Sequence, residues 1–317
     1  MSGLNTFNRL LVAKIESTYG TDPTADGTNA IRVSNDLACV PLQAELVERD
    51  QLLGHAGRTT AQILAAKHRV TTFSCELTSS GVAGTPPAFG ILLRACGMAE
   101  TIVAGTSVTY TPTDNPDAHE SVALLPFIDG VRLRGLGNRG TFSISGNRNG
   151  NGLIANFTFQ GLYQAATDTP NPTPTYGNHA VPTTFEAGNT DNVSMLTYTT
   201  PCVESFSYDY GNTITLRNLA NCSKEMRLTS RSGSGSINIK TPTVTEFDLY
   251  GAIDSRTTGL ISIRQTDVSS GYCTVNVNHA CLNPTEAFAD VDGVQHVEVG
   301  FDAIAPTALS DFSLVFS

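Results

Sequence analysis

Three strand-length runs closed by tight turns occupy Ser121 to Tyr163, and they limit the fold more than any other stretch of the chain. The runs are Val122 to Ile128, Gly140 to Ser145 and Leu153 to Tyr163. Phe142 and Ile144 alternate with Thr141, Ser143 and Ser145, and Phe157 and Phe159 alternate with Thr158 and Gln160. A period of two places the apolar set on one face of a half-buried strand. Asp129-Gly130 is a two-residue hairpin signal, because the turn that matches strand twist needs positive φ, which Gly tolerates. Gly146 to Gly152 is a second, looser turn. A chain built this way is mainly β.

The same reading extends outward. Residues 1–39 read as an arm. Pro41 to Asp50 and His68 to Leu77 alternate as strands, with Gln51 to Ala65 ambiguous between them. Ala88, Phe89, Ile91, Leu92, Ala95 and Cys96 share one helical face, with Pro87 as a start signal and Gly97 as a stop, so a short helix is expected over 88–98. Val108 to Thr111 begins a strand and Thr113 to Glu120 is a polar loop. The run Ala165 to Thr175 carries three prolines and cannot form a central strand or helix, since proline lacks an N–H. Residues 166–200 fit a long surface loop or a linker between domains, and the linker is the favoured reading.

Residues 201–317 repeat the order of 40–165 in abbreviated form. Ser205 to Leu216 and Gly235 to Lys240 supply strands, Glu246 to Asp254 a short helix, and Leu260 to Arg264 another strand. Tyr272 to Val277 then matches Thr141 to Ser145, and Val294 to Ala303 matches Leu153 to Tyr163. The repeat is one of pattern rather than identity, and the second copy is short enough to lack a hairpin.

Composition narrows function. Of 317 residues 40% are hydrophobic, enough for one large or two small cores, while only 15% are charged. So few charges fit a surface buried in an assembly, or a β-rich surface of Ser, Thr and Asn. A net charge of −10 without a basic run argues against tight DNA binding, which needs clustered Lys and Arg. No run approaches the ~20 apolar residues of a membrane helix. Leu10 to Ala13 is too short for a signal peptide, so synthesis in the cytoplasm and seven reduced cysteines are expected. Cys273, His279 and Cys281 form one possible metal cluster, but zinc usually takes four ligands in two close pairs. No nucleophile elbow, zinc-protease helix or P-loop motif occurs, and no cofactor or enzyme activity is expected. Gly135-Leu136-Gly137 and Gly233-Ser234-Gly235 read as turns or bulges. Arg132, Arg134, Arg139 and Arg148 cluster around the Asp-Gly hairpin and could meet DNA phosphates or the carboxylates of a neighbouring subunit; the acidic total favours a subunit contact.

The strand pair ending in Asp129-Gly130, the Gly-led strand after it, and the closing Phe157-x-Phe159-x-Gly161-x-Tyr163 together resemble the tail tube proteins of long-tailed, non-contractile bacteriophages. Ala13 to Thr21 and the strand Ala30 to Val33 are similar to that family's opening. The resemblance covers most of 10–165 and is weaker over 200–317. It implies a β-sandwich or barrel-like unit with a short helix packed on one side and a long loop over Gln51 to Ala65; the repeated order of elements adds a second such unit in tandem, giving units at 40–165 and 201–317. It also implies homo-oligomeric rings stacked into a tube in the virion tail, alongside tail tip, tape-measure and terminator proteins. Two units per chain imply a ring of three chains with pseudo-sixfold symmetry, and one unit implies a hexamer. DNA would pass through the lumen without tight binding. The alternative is a phage surface module with Ig-like β domains that contacts a host receptor or glycan; the absence of Trp counts against it.

Overall fold

The structure, a computed structural model, describes residues 3–49, 61–113, 115, 118–285, 287–305 and 311–317. The chain runs β1 (Arg9–Ile15), β2 (Ala30–Ile31), β3 (Ala38–Val47), β4 (Ile63–Glu76), α1 (Gly90–Ala95), β5 (Met98–Val103), β6 (Ser107–Pro112), β7 (Val122–Ile128), β8 (Val131–Arg132), β9 (Gly135–Asn147) and β10 (Ile154–Tyr163). It continues through β11 (Thr167–Asp168), β12 (Thr190–Met195), β13 (Val203–Asp209), β14 (Asn212–Arg217), β15 (Glu225–Arg231) and β16 (Ser234–Lys240). It ends with α2 (Leu249–Asp254), β17 (Thr258–Thr266), β18 (Tyr272–Thr285), β19 (Ala289–Val291), β20 (Val294–Ala303) and β21 (Phe312–Phe316). The pairings are antiparallel throughout the named strands, and the fold is mainly β with two short helices among the described residues. The Asp-Gly turn is as expected: Asp129 and Gly130 have φ of 47° and 88°, and Ile128 faces Val131 across it.

The strand order of the first half returns in the second. Residues 9–163 pair as β3–β4–β10–β9–β7–β1. Residues 190–303 pair as β13–β16–β20–β18–β17–β12. In each half the helix follows the second strand of that order. The core positions correspond too. Phe157 faces Phe73 where Val299 faces Ile237, and Ala155 faces Cys75 where Val297 faces Ile239. All eight of these side chains are buried. The first half alone carries an inserted hairpin, β5–β6, between its helix and the next strand. Its partner outside the hairpin is β21, which also pairs with β18.

One aromatic chain links the two halves. Phe73 stacks on Phe157 at 5.6 Å, Phe157 meets Phe142 at 5.8 Å, and Phe142 stacks on Tyr210 at 4.7 Å. Phe142 also meets Phe312, which stacks on Tyr208 at 4.5 Å, and Tyr208 stacks on Phe301. Such pairs contribute about 0.5–1.5 kcal/mol each beyond the area they bury. Beside them Asp311, almost wholly buried, takes both arms of Arg231 at 2.6 and 2.7 Å.

Several expectations change. Arg9–Ile15, expected within an arm, is a core strand paired with β7 along its whole length, with Leu11 and Val12 fully buried. Its apolar run sits before a polar loop, and only the partner strand shows it to be interior. Residues 51–60 of the expected loop lie outside the described residues, as does His55, while Ile63 to Ala65 belong to β4. Ser205 to Leu216 is two strands broken at Gly211, where φ is +67°. The helices are shorter than expected, Gly90–Ala95 and Leu249–Asp254. The match of β18 to β9 slides along the strand: Leu282, not a residue of 272–277, faces Phe301 as Gly140 faces Phe159. Local alternation cannot set such a register, because every second residue fits. The 166–200 stretch is tied to both halves. Ala180 and Thr175 donate to Ser79 and Gly27 in the first half, and Val268 donates to Val181 from the second.

Removing residues 1–16 should therefore abolish the fold. Leu10, Leu11 and Val12 bury fully, and at about 1.5–3 kcal/mol each their loss rivals a whole domain's stability of ~5–15 kcal/mol. Thermal unfolding followed by circular dichroism checks this; a truncated chain that melts cooperatively near the full-length temperature would show the segment to be dispensable.

Candidate functional site: the junction of the two halves and the polar sheet face

Strand β9 serves two partners. Its first residues pair with β7, Val122 opposite Asn138 and Leu124 opposite Gly135. Its last residues pair with β13 instead, Ser143 to Asn147 opposite Asp209 to Ser205. The switch makes one continuous sheet, β3–β4–β10–β9–β13–β16–β20–β18, four strands from each half.

One face of that sheet is the aromatic core; the other is polar. Across six strands runs the row Ser74, Asn156, Ser143, Asp209, Ser234, Asp302. The next row is Ser145, Ser207, Ser236, Gly300, and the next Asn147, Ser205, Asn238, Glu298. Ser207 and Ser236 hydrogen-bond across the strands at 2.9 Å. The charges in these rows are all carboxylates; further along β16 on the same face stands the exposed Lys240, opposite His296.

Above the switch point the β14–β15 hairpin of the second half closes on the first half. Asn212 donates through Nδ2 to the carbonyls of Cys96 and Gly140. Met226 is fully buried; its N–H donates to the Tyr19 hydroxyl and its carbonyl accepts from Arg139 Nη1 at 2.9 Å. Tyr19 is held in place by the turn it sits on. The Glu16 carboxylate accepts from the N–H groups of Gly20 and Gly137 and from Ser121 Oγ, at 2.7 to 2.8 Å. Tyr19 in turn donates to Gly137 O at 3.2 Å. Gly137 has φ +61°, and a Cβ there would lie 2.6 Å from the Tyr19 ring, so only glycine fits. Burial raises the Tyr19 pKa, which keeps its hydroxyl protonated.

The four arginines singled out in the sequence are dispersed. Arg132 pairs with Asp22 at 3.3 Å. Arg139 shares the polar face but is drawn off it, donating to Met226 O and His119 O and lying 5.4 Å over the Tyr19 ring. Arg148 bridges to Glu204 and Asp292 of the second half, at 3.3 and 2.7 Å. Arg134 keeps a buried Nε with no hydrogen-bond partner. Two of the four, Arg139 and Arg148, thus join the halves of one chain. Cys273, His279 and Cys281 do not converge: among the described residues no group of three or more His, Cys, Asp or Glu could hold a metal. Tyr19 and Met226 went unnoticed in the sequence as a pair, because 207 residues separate them; the Glu16-Ser17-Thr18-Tyr19-Gly20 string was the available signal.

A family model described as phage tail tube protein matches residues 6–303, and the chain belongs to that family. No curated protein matches the chain. The family is structural and places the chain in the virion tail. No helix among the described residues is long and apolar enough to cross a membrane.

Two outcomes follow from the junction. Met226→Ala should destabilise the chain by about 2–5 kcal/mol and Tyr19→Phe by about 1–2 kcal/mol, read from denaturant unfolding. A neutral Met226→Ala would show the hairpin to be loosely held. Burial, with Arg139 and Arg227 nearby, lowers the His119 pKa. Its stabilising share is therefore present above the unfolded value near ~6.5 and lost as pH falls through the folded value. Melting temperatures between pH 8 and 5 should drop less in His119→Gln than in the parent chain.

Proposed function

We propose that the chain polymerises into rings that stack as the tail tube through which phage DNA leaves the capsid. The observation that carries this is the repeated four-strand block joined through β9 and β13. It leaves two matching edges open. Among the described residues β3, the counterpart of β13, pairs only with β4. β18, the counterpart of β9, has no strand beyond Cys281 on its β17 side. Open edges template pairing with other chains, and a closed ring removes them. Pairing of β3 in one chain with the end of β18 in the next would repeat the internal β9–β13 joint. Two blocks per chain favour a ring of three chains with pseudo-sixfold symmetry. The reading of 40–165 and 201–317 as two tube units rests on the same pairings.

The polar face supports the conduit reading. The rows of Ser and Asn with Asp209, Asp302 and Glu298 carry no cation to hold phosphates. Arg139 and Arg148 are engaged in joining the two blocks, and further contacts of the arginine cluster with a neighbouring chain belong to the same proposal.

Native mass measurement of isolated rings is expected to give three chains; six chains per ring would refute the two-block ring. Assembled tubes should retain no duplex DNA at low salt, where a basic lining binds most tightly. Retention that disappears on adding salt would overturn the non-gripping lumen.

A further inference from the structure

The two long hairpins of this chain correspond, yet they meet different surroundings. In the second half β13 and β14 lead back through β15 and β16; in the first, β3 leads back through β4. Leu228 faces Ile214 where Leu64 faces Leu46, and both hairpins carry register shifts below those pairs. The second-half hairpin is covered: Met226 is 0% exposed beneath Tyr19 and Arg139. The described part of the first-half hairpin is bare. Leu46 is 60% exposed, Ile63 55%, Val47 47% and Leu64 46%. Two adjacent cross-strand apolar pairs, Leu46–Leu64 and Val47–Ile63, therefore stand in solvent.

We propose that this bare hairpin seats on the second half of another copy of the chain, at the end of α2 and the end of β18. It would rebuild between chains the contact that β14–β15 makes within one. The landing site follows from the correspondence of the halves. Gly97, with φ +81°, follows α1, and Arg256, with φ +51°, follows α2. Gly140 faces Phe159 in β10, and Leu282 faces Phe301 in β20. In the first half the hairpin's Asn212 donates to the Gly140 carbonyl. In the second half the equivalent carbonyl, that of Leu282, is taken by Arg256 Nη1 at 2.6 Å, which also reaches Asn283. Arg256 thus holds the place that a hairpin from another copy takes over.

This inference rests on the ring reading but is tested apart from it. A photoreactive phenylalanine analogue is placed at Leu64, and assemblies are grown from a mixture of isotopically light and heavy chains. Cross-links between light and heavy chains are expected to join residue 64 to peptides spanning 255–256 or 282–285. Rings that form normally while residue 64 cross-links elsewhere, including to the same hairpin of another copy, overturn the docking and leave the ring reading intact. Parent chains that form no rings overturn both. As a second arm, Leu46→Asp with Leu64→Asp alters exposed positions only, so the melting temperature of the free chain should hold. The concentration needed for assembly should rise roughly a hundred-fold, the effect of leaving two leucines unburied. Unchanged assembly by that double variant overturns the proposal.

Discussion

The partner switch along β9 is the constraint from which the rest of the molecule follows. One strand of thirteen residues gives its first end to β7 and its last to β13. Without the second pairing only the β6–β21–β18 link would join the strands of the two halves. With it, their inner strands form one sheet and their cores fuse. The fused core is visible as Phe142, which touches Phe157 on its own side and Tyr210 and Phe312 from the second half. An edge pairing of five residues could slip by itself. The aromatic contacts beneath it and the Met226–Tyr19–Arg139 clasp above it remove that freedom.

The clasp also accounts for the glycines and the carboxylate near it. Glu16 is buried, which would be costly for an unpaired acid. Three donors surround it, and the turn they tie down carries Tyr19 toward the second half. A structural role of this kind, in which a local turn is built to deliver one side chain to a distant hairpin, leaves no catalytic signature. Polar residues here serve the joint between like units.

The proposed doubling of the tube unit has a particular consequence for assembly. In the proposed ring the internal joint is always formed, so half of the edges need no encounter between molecules. The remaining edges, at β3 and β18, differ in detail from the internal ones. Arg256 stands where the first half has Gly97, and the β5–β6 insertion has no counterpart in the second half. The two kinds of joint can therefore diverge in strength while keeping one geometry.

The alternation in Thr141 to Ser145 and Ala155 to Phe159, with the Asp129-Gly130 turn, determined the β class and the first sheet, because period and turn chemistry are local properties of the backbone. The helix near 88–98 and the one near 246–254 were legible for the same reason. The tertiary structure alone decided three things. It made Arg9–Ile15 a core strand, since burial depends on the partner that covers Leu11 and Val12. It set the register of β18 against β20, since a period of two fits at every second residue. And it closed β14–β15 onto Tyr19, a contact between segments whose sequences carry no mark of each other.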